Sequence, residues 1–145
     1  MKQILNFSML YIVAALKAAG CCHCRSKSRA AAPLEGNTWR LSKLMGEDIE
    51  TSGESFTLTF NDEGRLNGVG SGNRLFGDYK AASDGKLDIG QLGSTRMMCP
   101  DIETENRYFM AVGTATAYEI DGETLMLLDD GEVLAMFTLV KPEGN

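Results

Sequence analysis

The chain has 145 residues, enough for one domain and short for two. Apolar residues make up 43% and charged ones 23%, a balance that supports a packed core and argues against wholesale disorder. The net charge of −6 disfavours nucleic-acid binding through phosphate neutralisation.

At the N-terminus, Lys2 precedes a mostly apolar run from Ile4 to Leu16. Such a run is shorter than the roughly 20 residues a spanning helix needs but suits the apolar region of a signal peptide. Ala18, Ala19 and Gly20 stand directly before Cys21, as in a bacterial lipobox, where the signal is cut and the new N-terminal cysteine carries lipid. The pattern departs from the usual one in Ala18, where leucine is common, and in Lys17. A secretory signal cleaved without lipidation and an uncleaved start are therefore the alternatives. The favoured reading makes residues 1–20 a signal peptide, Cys21 the lipidation site and residues 21–33 a flexible tether. Within that tether Arg25, Lys27 and Arg29 form a local basic group. Cys21, Cys22, His23 and Cys24 are consecutive and cannot easily wrap one ion, since zinc motifs space their ligands; no metal or cofactor is expected.

From Leu34 onward the pattern is short strands punctuated by turns. Thr38 to Leu44 alternates Trp39, Leu41 and Lys43 against Arg40, Ser42 and Leu44. Ser55 to Phe60 puts Phe56, Leu58 and Phe60 on one face, the period-two mark of a half-buried strand. After an Asn61–Gly64 turn, Arg65 to Gly70 is predicted to return antiparallel, followed by short strands at Asp78 to Ala82 and Lys86 to Ile89. Pro100 then halts the chain, and Asp101 to about Thr114 is predicted as an amphipathic helix. Asp101 is its N-cap, Glu103 and Glu105 sit at the positive end of the dipole, and Ile102, Phe109 and Val112 make its apolar face, flanked by Tyr108 and Ala115. Ala117 to Ile120, Thr124 to Leu128 and Val133 to Val140 complete a three-stranded meander with Asp-Gly turns, which favour positive φ.

Gly68, Gly70, Gly72 and Gly77 raise the question of a phosphate loop. A dinucleotide fingerprint fails because Asn73 stands where the third glycine belongs, and strands rather than a helix follow. The glycines are read as positions where backbone bulges or packs closely, with nothing anionic bound against them.

Asn67-Gly68, Asn73 to Tyr79, Ser94 to Cys99 and Glu105 with Tyr108-Phe109, in this order around one helix, resemble the META domain family, which includes the heat-shock protein HslJ. The resemblance runs from about Leu34 to Lys141 and defines residues 34–141 as a META-like domain. It implies an α+β fold: a small antiparallel open or cracked β-barrel with one helix before the C-terminal meander. It also implies an envelope lipoprotein, like many members. Where many members have Gly-Cys-Asn, this chain has Ser71-Gly72-Asn73. If the family cysteine pairs with that of Thr-Arg-Met-x-Cys, the bond cannot form here, and Cys99 is expected as a buried free thiol.

His23 is the only histidine, so a histidine triad within the domain is ruled out. The acidic pairs lie in turns, where aspartate bonds locally. The expectation is a non-enzymatic, monomeric domain in the bacterial envelope, more specifically the outer membrane. It would be anchored through lipid on Cys21 and serve as an interaction or stress-related module for an envelope protein. The alternative is a small-ligand or lipid carrier, or a pilot-like binder of a partner segment, using a barrel groove. Asn73, Arg96 and Tyr79 are the candidate binding or bracing residues. Bracing is favoured for the first two, with Asn73 holding turn backbone and Arg96 pairing with a carboxylate.

Overall fold

A computed structural model describes residues 30–143; the signal-peptide reading and Cys21 lie outside the described residues. The strands are β1 (Thr38–Leu44), β2 (Glu47–Asp48), β3 (Thr57–Phe60), β4 (Arg65–Val69), β5 (Arg74–Ala81), β6 (Leu87–Ile89) and β7 (Gly93–Ser94). Helix α1 (Ile102–Thr114) follows, then β8 (Ala117–Asp121), β9 (Thr124–Asp129) and β10 (Glu132–Leu139). They form one antiparallel sheet in the order β6-β5-β4-β3-β1-β10-β9-β8, with β2 beside β1 and β7 beside β5. The two outer strands approach across a seam. There Leu87 N–H donates to Thr116 O at 3.0 Å and Tyr118 N–H to Gly85 O at 2.8 Å, and Lys86 bridges Ala117. The sheet is thus a nearly closed barrel with one helix, as the α+β expectation had it.

The inward faces supply the core. Trp39, Leu41, Leu58, Phe60, Leu66, Leu125, Leu127 and Phe137 are buried, and α1 inserts Tyr108, Ala111 and Val112 among them. Trp39 Nε1 donates to Leu34 O at 3.1 Å, which satisfies the one polar atom of the largest core side chain. With side chains filling the barrel, the larger concavities are grooves on its outside.

Four local expectations change. In β1 the alternation breaks at a bulge between Leu41 and Lys43, so Leu44 rather than Lys43 turns inward. Lys43 instead reaches Asp48 at 3.0 Å on the surface. The strand after the glycines begins at Arg74, four residues before the predicted start at Asp78, because the ladder to β4 runs from Val69↔Arg74 to Arg65↔Asp78. On α1 the buried face is Glu105, Tyr108, Ala111 and Val112, while Ile102 is 44% exposed. Tyr108 fits inside because its hydroxyl donates to Thr57 O at 2.8 Å. Of the two Asp-Gly turns, Asp130 and Gly131 both have positive φ, whereas only Gly122 does in the other.

Hairpins of an antiparallel sheet open alternately at its two ends. The Asn61–Gly64, Ala82–Gly85 and Gly122–Glu123 turns share one end with the incoming chain, where Ala32 N–H donates to Gly122 O at 2.9 Å. The Gly70–Asn73 loop and the Asp130-Gly131 turn lie at the other.

Tyr108 therefore ties the helix to β3 with one buried hydrogen bond and a full aromatic ring. Tyr108→Phe is expected to cost about 1 kcal/mol and Tyr108→Ala about 4 kcal/mol, measured by urea unfolding. An unchanged midpoint for Tyr108→Phe would show that the bond is unimportant to the plug.

Candidate binding site

The loop between β4 and β5 and the first turn of α1 meet at the end of the barrel away from the incoming chain. Glu105, 1% exposed, reaches into the glycine loop. Its Oε2 accepts from the backbone N–H groups of Gly72 and Asn73, both at 3.0 Å, and from Ser71 Oγ at 3.2 Å. Its Oε1 accepts from Asn73 Nδ2 at 2.6 Å. The loop does cradle an anion, contrary to the expectation, and the anion is the chain's own. A Cβ at Gly70 would overlap the Glu105 carboxylate, which accounts for glycine there.

No lysine or arginine among the described residues lies within ion-pair distance of Glu105. Burial pushes its carboxyl up. The Asn73 carboxamide, the Asn73 and Gly72 backbone N–H groups and the Ser71 hydroxyl outweigh that and hold it below the ordinary 4.5. Backbone dipoles and the helix N-terminus thus do the work of a counter-ion.

Asn73, 2% exposed, is the hub. Besides Glu105, its Nδ2 donates to Met97 O at 3.0 Å, with Cys99 Sγ a third neighbour at 3.3 Å. Its Oδ1 accepts from Met97 N–H at 2.6 Å and from Thr95 Oγ1 at 3.0 Å. Nearly all of its bonding capacity is spent on Glu105, Thr95 and Met97, so it braces these segments rather than the turn backbone expected of it. Tyr79 also braces, at the opposite end: its hydroxyl lies 2.6 Å from Asn61 O and 2.8 Å from Glu35 Oε1. Burial, then the bond to Glu35, push its phenol well above the ordinary tyrosine value, so it remains a donor.

Arg96 does not brace. It is exposed, has no ion pair among the described residues, and lines a groove of about 540 Å³ together with Ser94, Met97, Met98, Ile102 and Phe109. Three of these are exposed apolar residues: Met97 at 60%, Met98 at 102% and Ile102 at 44%. Structure therefore joins Asn73 and Arg96 in one site, the first as its floor and the second on its rim, and leaves Tyr79 outside it. Cys99 is half-buried rather than buried, facing the same groove. Among the described residues no group of three or more His, Cys, Asp or Glu side chains is placed to hold a metal ion.

Sequence reasoning gave Glu105 no place in the site, reading it as a first-turn acid and as one residue of the family pattern. The signal was its spacing: three residues before Tyr108 and seven before Val112, it falls on the stripe that enters the barrel.

A family model described as META domain matches residues 32–141. No curated protein matches the chain significantly. Among solved structures, the NMR structure of a protein from Burkholderia xenovorans is 25% identical with a TM-score of 0.56, covering 79% of this chain and 96% of that one. The crystal structure of a DUF4847 family protein from Bacteroides vulgatus is 16% identical with a TM-score of 0.54, covering 77% and 96%. A further NMR structure is 20% identical with a TM-score of 0.60, covering 73% and 91%.

The charge on Glu105 sets an acid limit. Its folded-state value lies below the unfolded one, so its contribution is fully present above about pH 4.5 and is lost as pH falls through the folded value. Glu105→Gln should be less stable than wild type by about 2 kcal/mol at neutral pH. Below pH 4.5 its stability should decline less steeply; parallel pH profiles of the melting temperature would contradict the assignment.

Position 72 allows a second test. A Cβ there would lie 3.3 Å from Cys99 Cβ and against its sulfur, close to disulfide geometry. Gly72→Cys is expected to oxidise to an intramolecular bridge with Cys99 and to gain about 3 kcal/mol. Free thiols at both position 72 and Cys99 after mild oxidation would show that the loop cannot close in this way.

Proposed function

Because the chain belongs to the META domain family, we propose that it is a non-enzymatic binding module of the bacterial cell envelope, held to the membrane by lipid on Cys21 and engaging an envelope protein through the Arg96 groove. The observation that carries this reading is the groove itself. It sets one unpaired cation beside exposed Met97, Met98 and Ile102, in a chain of net charge −6. Monomeric domains rarely leave such apolar groups clustered without use.

The groups best placed for chemistry are committed elsewhere. Glu105 is saturated by four hydrogen bonds, Tyr79 is held as a donor, and the only histidine, His23, lies in the tether. A general base needs a free lone pair facing a substrate. Binding, rather than turnover, is what the exposed groups serve. The envelope address rests on Lys2, the apolar run to Leu16 and the small residues before Cys21. An anchored chain reaches the domain at the end away from the groove, so the groove faces outward from the tether. A ligand carried inside the barrel fits less well, because core side chains occupy that space.

A photo-crosslinking amino acid at position 97, introduced in the native host, should capture a discrete envelope protein, whereas the same group at Asp88 should not. Intact-mass analysis of this chain, purified from its native host, should show a diacyl- or triacylglyceryl group on Cys21. Equal, diffuse labelling from both positions would contradict the groove, and an intact Met1 would contradict the anchor.

A further inference from the structure

After β7 the chain runs on as far as Cys99 without a turn or bend. Three of its inward backbone groups are bonded. Thr95 N–H donates to Arg74 O at 3.0 Å, and Met97 bonds both ends of the Asn73 carboxamide, its N–H at 2.6 Å and its C=O at 3.0 Å. The Asn73 side chain thus stands in for a strand backbone and holds residue 97 as a ladder would. Extended chains alternate the side to which successive backbone groups point. Arg96 and Met98 therefore turn theirs outward, and neither has a hydrogen-bond partner for its backbone N–H among the described residues. The result is a short, unpaired sheet edge beside the groove that ends at Pro100; from Thr95 to Cys99 it has no proline or inward charge, and no segment among the described residues covers it.

The geometry points to strand addition: an extended peptide of a partner protein pairs with the edge at Arg96 and Met98, setting a carboxylate against Arg96 and aliphatic side chains against Met97, Met98 and Ile102. This rests on the groove being the binding surface, as proposed above. Outward donors and acceptors recur every second residue, about 7 Å apart, a spacing that a polypeptide backbone matches and a lipid does not. Charge complementarity selects an acidic peptide. Among the described residues Arg96 is the only cation lining the groove, and the only carboxylate there, Glu105, is already saturated. Main-chain bonds would give affinity and the flanking side chains specificity.

The test uses the full chain in detergent micelles and two short capped peptides of alternating valine and threonine, one with a central glutamate and one with a central lysine. Amide hydrogen exchange is read by NMR. The glutamate peptide should slow exchange at Arg96 and Met98 by about tenfold at saturation, and the lysine peptide should not. Arg96→Glu should reverse that order. Met98→Pro removes one outward donor from a fully exposed residue, so it should abolish the protection and leave the melting temperature unchanged. Absence of protection with both peptides overturns the proposal, as does binding that survives Met98→Pro. Slowed exchange caused by phosphatidylethanolamine–phosphatidylglycerol vesicles without peptide also overturns it, in favour of a lipid surface. If crosslinks at position 97 persist in cells while no peptide protects the edge, the groove stands and strand addition falls.

Discussion

Glu105 lies where a carboxylate is costly, shielded from water and with no cation of the described residues beside it. It is tolerated because every direction of its charge is met by a donor of the Ser71–Asn73 loop, two of them backbone N–H groups. Removing a donor would leave charge unpaired, and removing the charge would orphan the loop, so helix and hairpin hold each other in one register. The helix lies where it does along the barrel because this contact and the Tyr108 hydroxyl fix it at two points. A plug secured by apolar packing alone has many near-equivalent positions; one secured by directional bonds has few.

The same network builds the groove. Asn73 spends one face on Glu105 and the other on Met97, so the order of the helix start passes directly to the segment carrying Arg96 and Met98. Rigid positioning from below leaves these two residues free above. An exposed Met98 and an unpaired Arg96 would carry little meaning on a mobile loop. On a braced, extended segment they form a surface of defined shape, and a preformed surface loses less entropy when it binds. Lack of a cysteine at position 72 fits this economy, since Cys99 Sγ fills the space where a side chain would sit and the polar network supplies the constraint.

Much of the fold was readable from residue order. Alternation, the Asp-Gly turns and the single helix placed eight of the ten strands, with the two-residue β2 and β7 unforeseen and β3 starting at Thr57, since Phe56 has positive φ. Errors arose where tertiary contacts override local period. The β1 bulge swaps Lys43 for Leu44, because pairing with β10 shifts register there. The β5 strand begins early, because its partner β4 extends the ladder through residues that look like loop in isolation. Of the site, Asn73 braces Glu105 and Met97 rather than turn backbone, while Arg96, expected to pair with a carboxylate, has none within ion-pair distance among the described residues.

Periodicity, turn chemistry and composition, which act over a few residues, determined on their own a run of short antiparallel strands interrupted by one helix, while motif order pointed to the family and it was that resemblance that implied a barrel. Only the tertiary structure decided what the glycines accommodate. A carboxylate more than thirty residues further along the chain meets the loop head-on, and nothing in the loop's own sequence states which anion will arrive. Long-range electrostatic pairing depends on where the barrel closes, and closure is a property of the whole sheet.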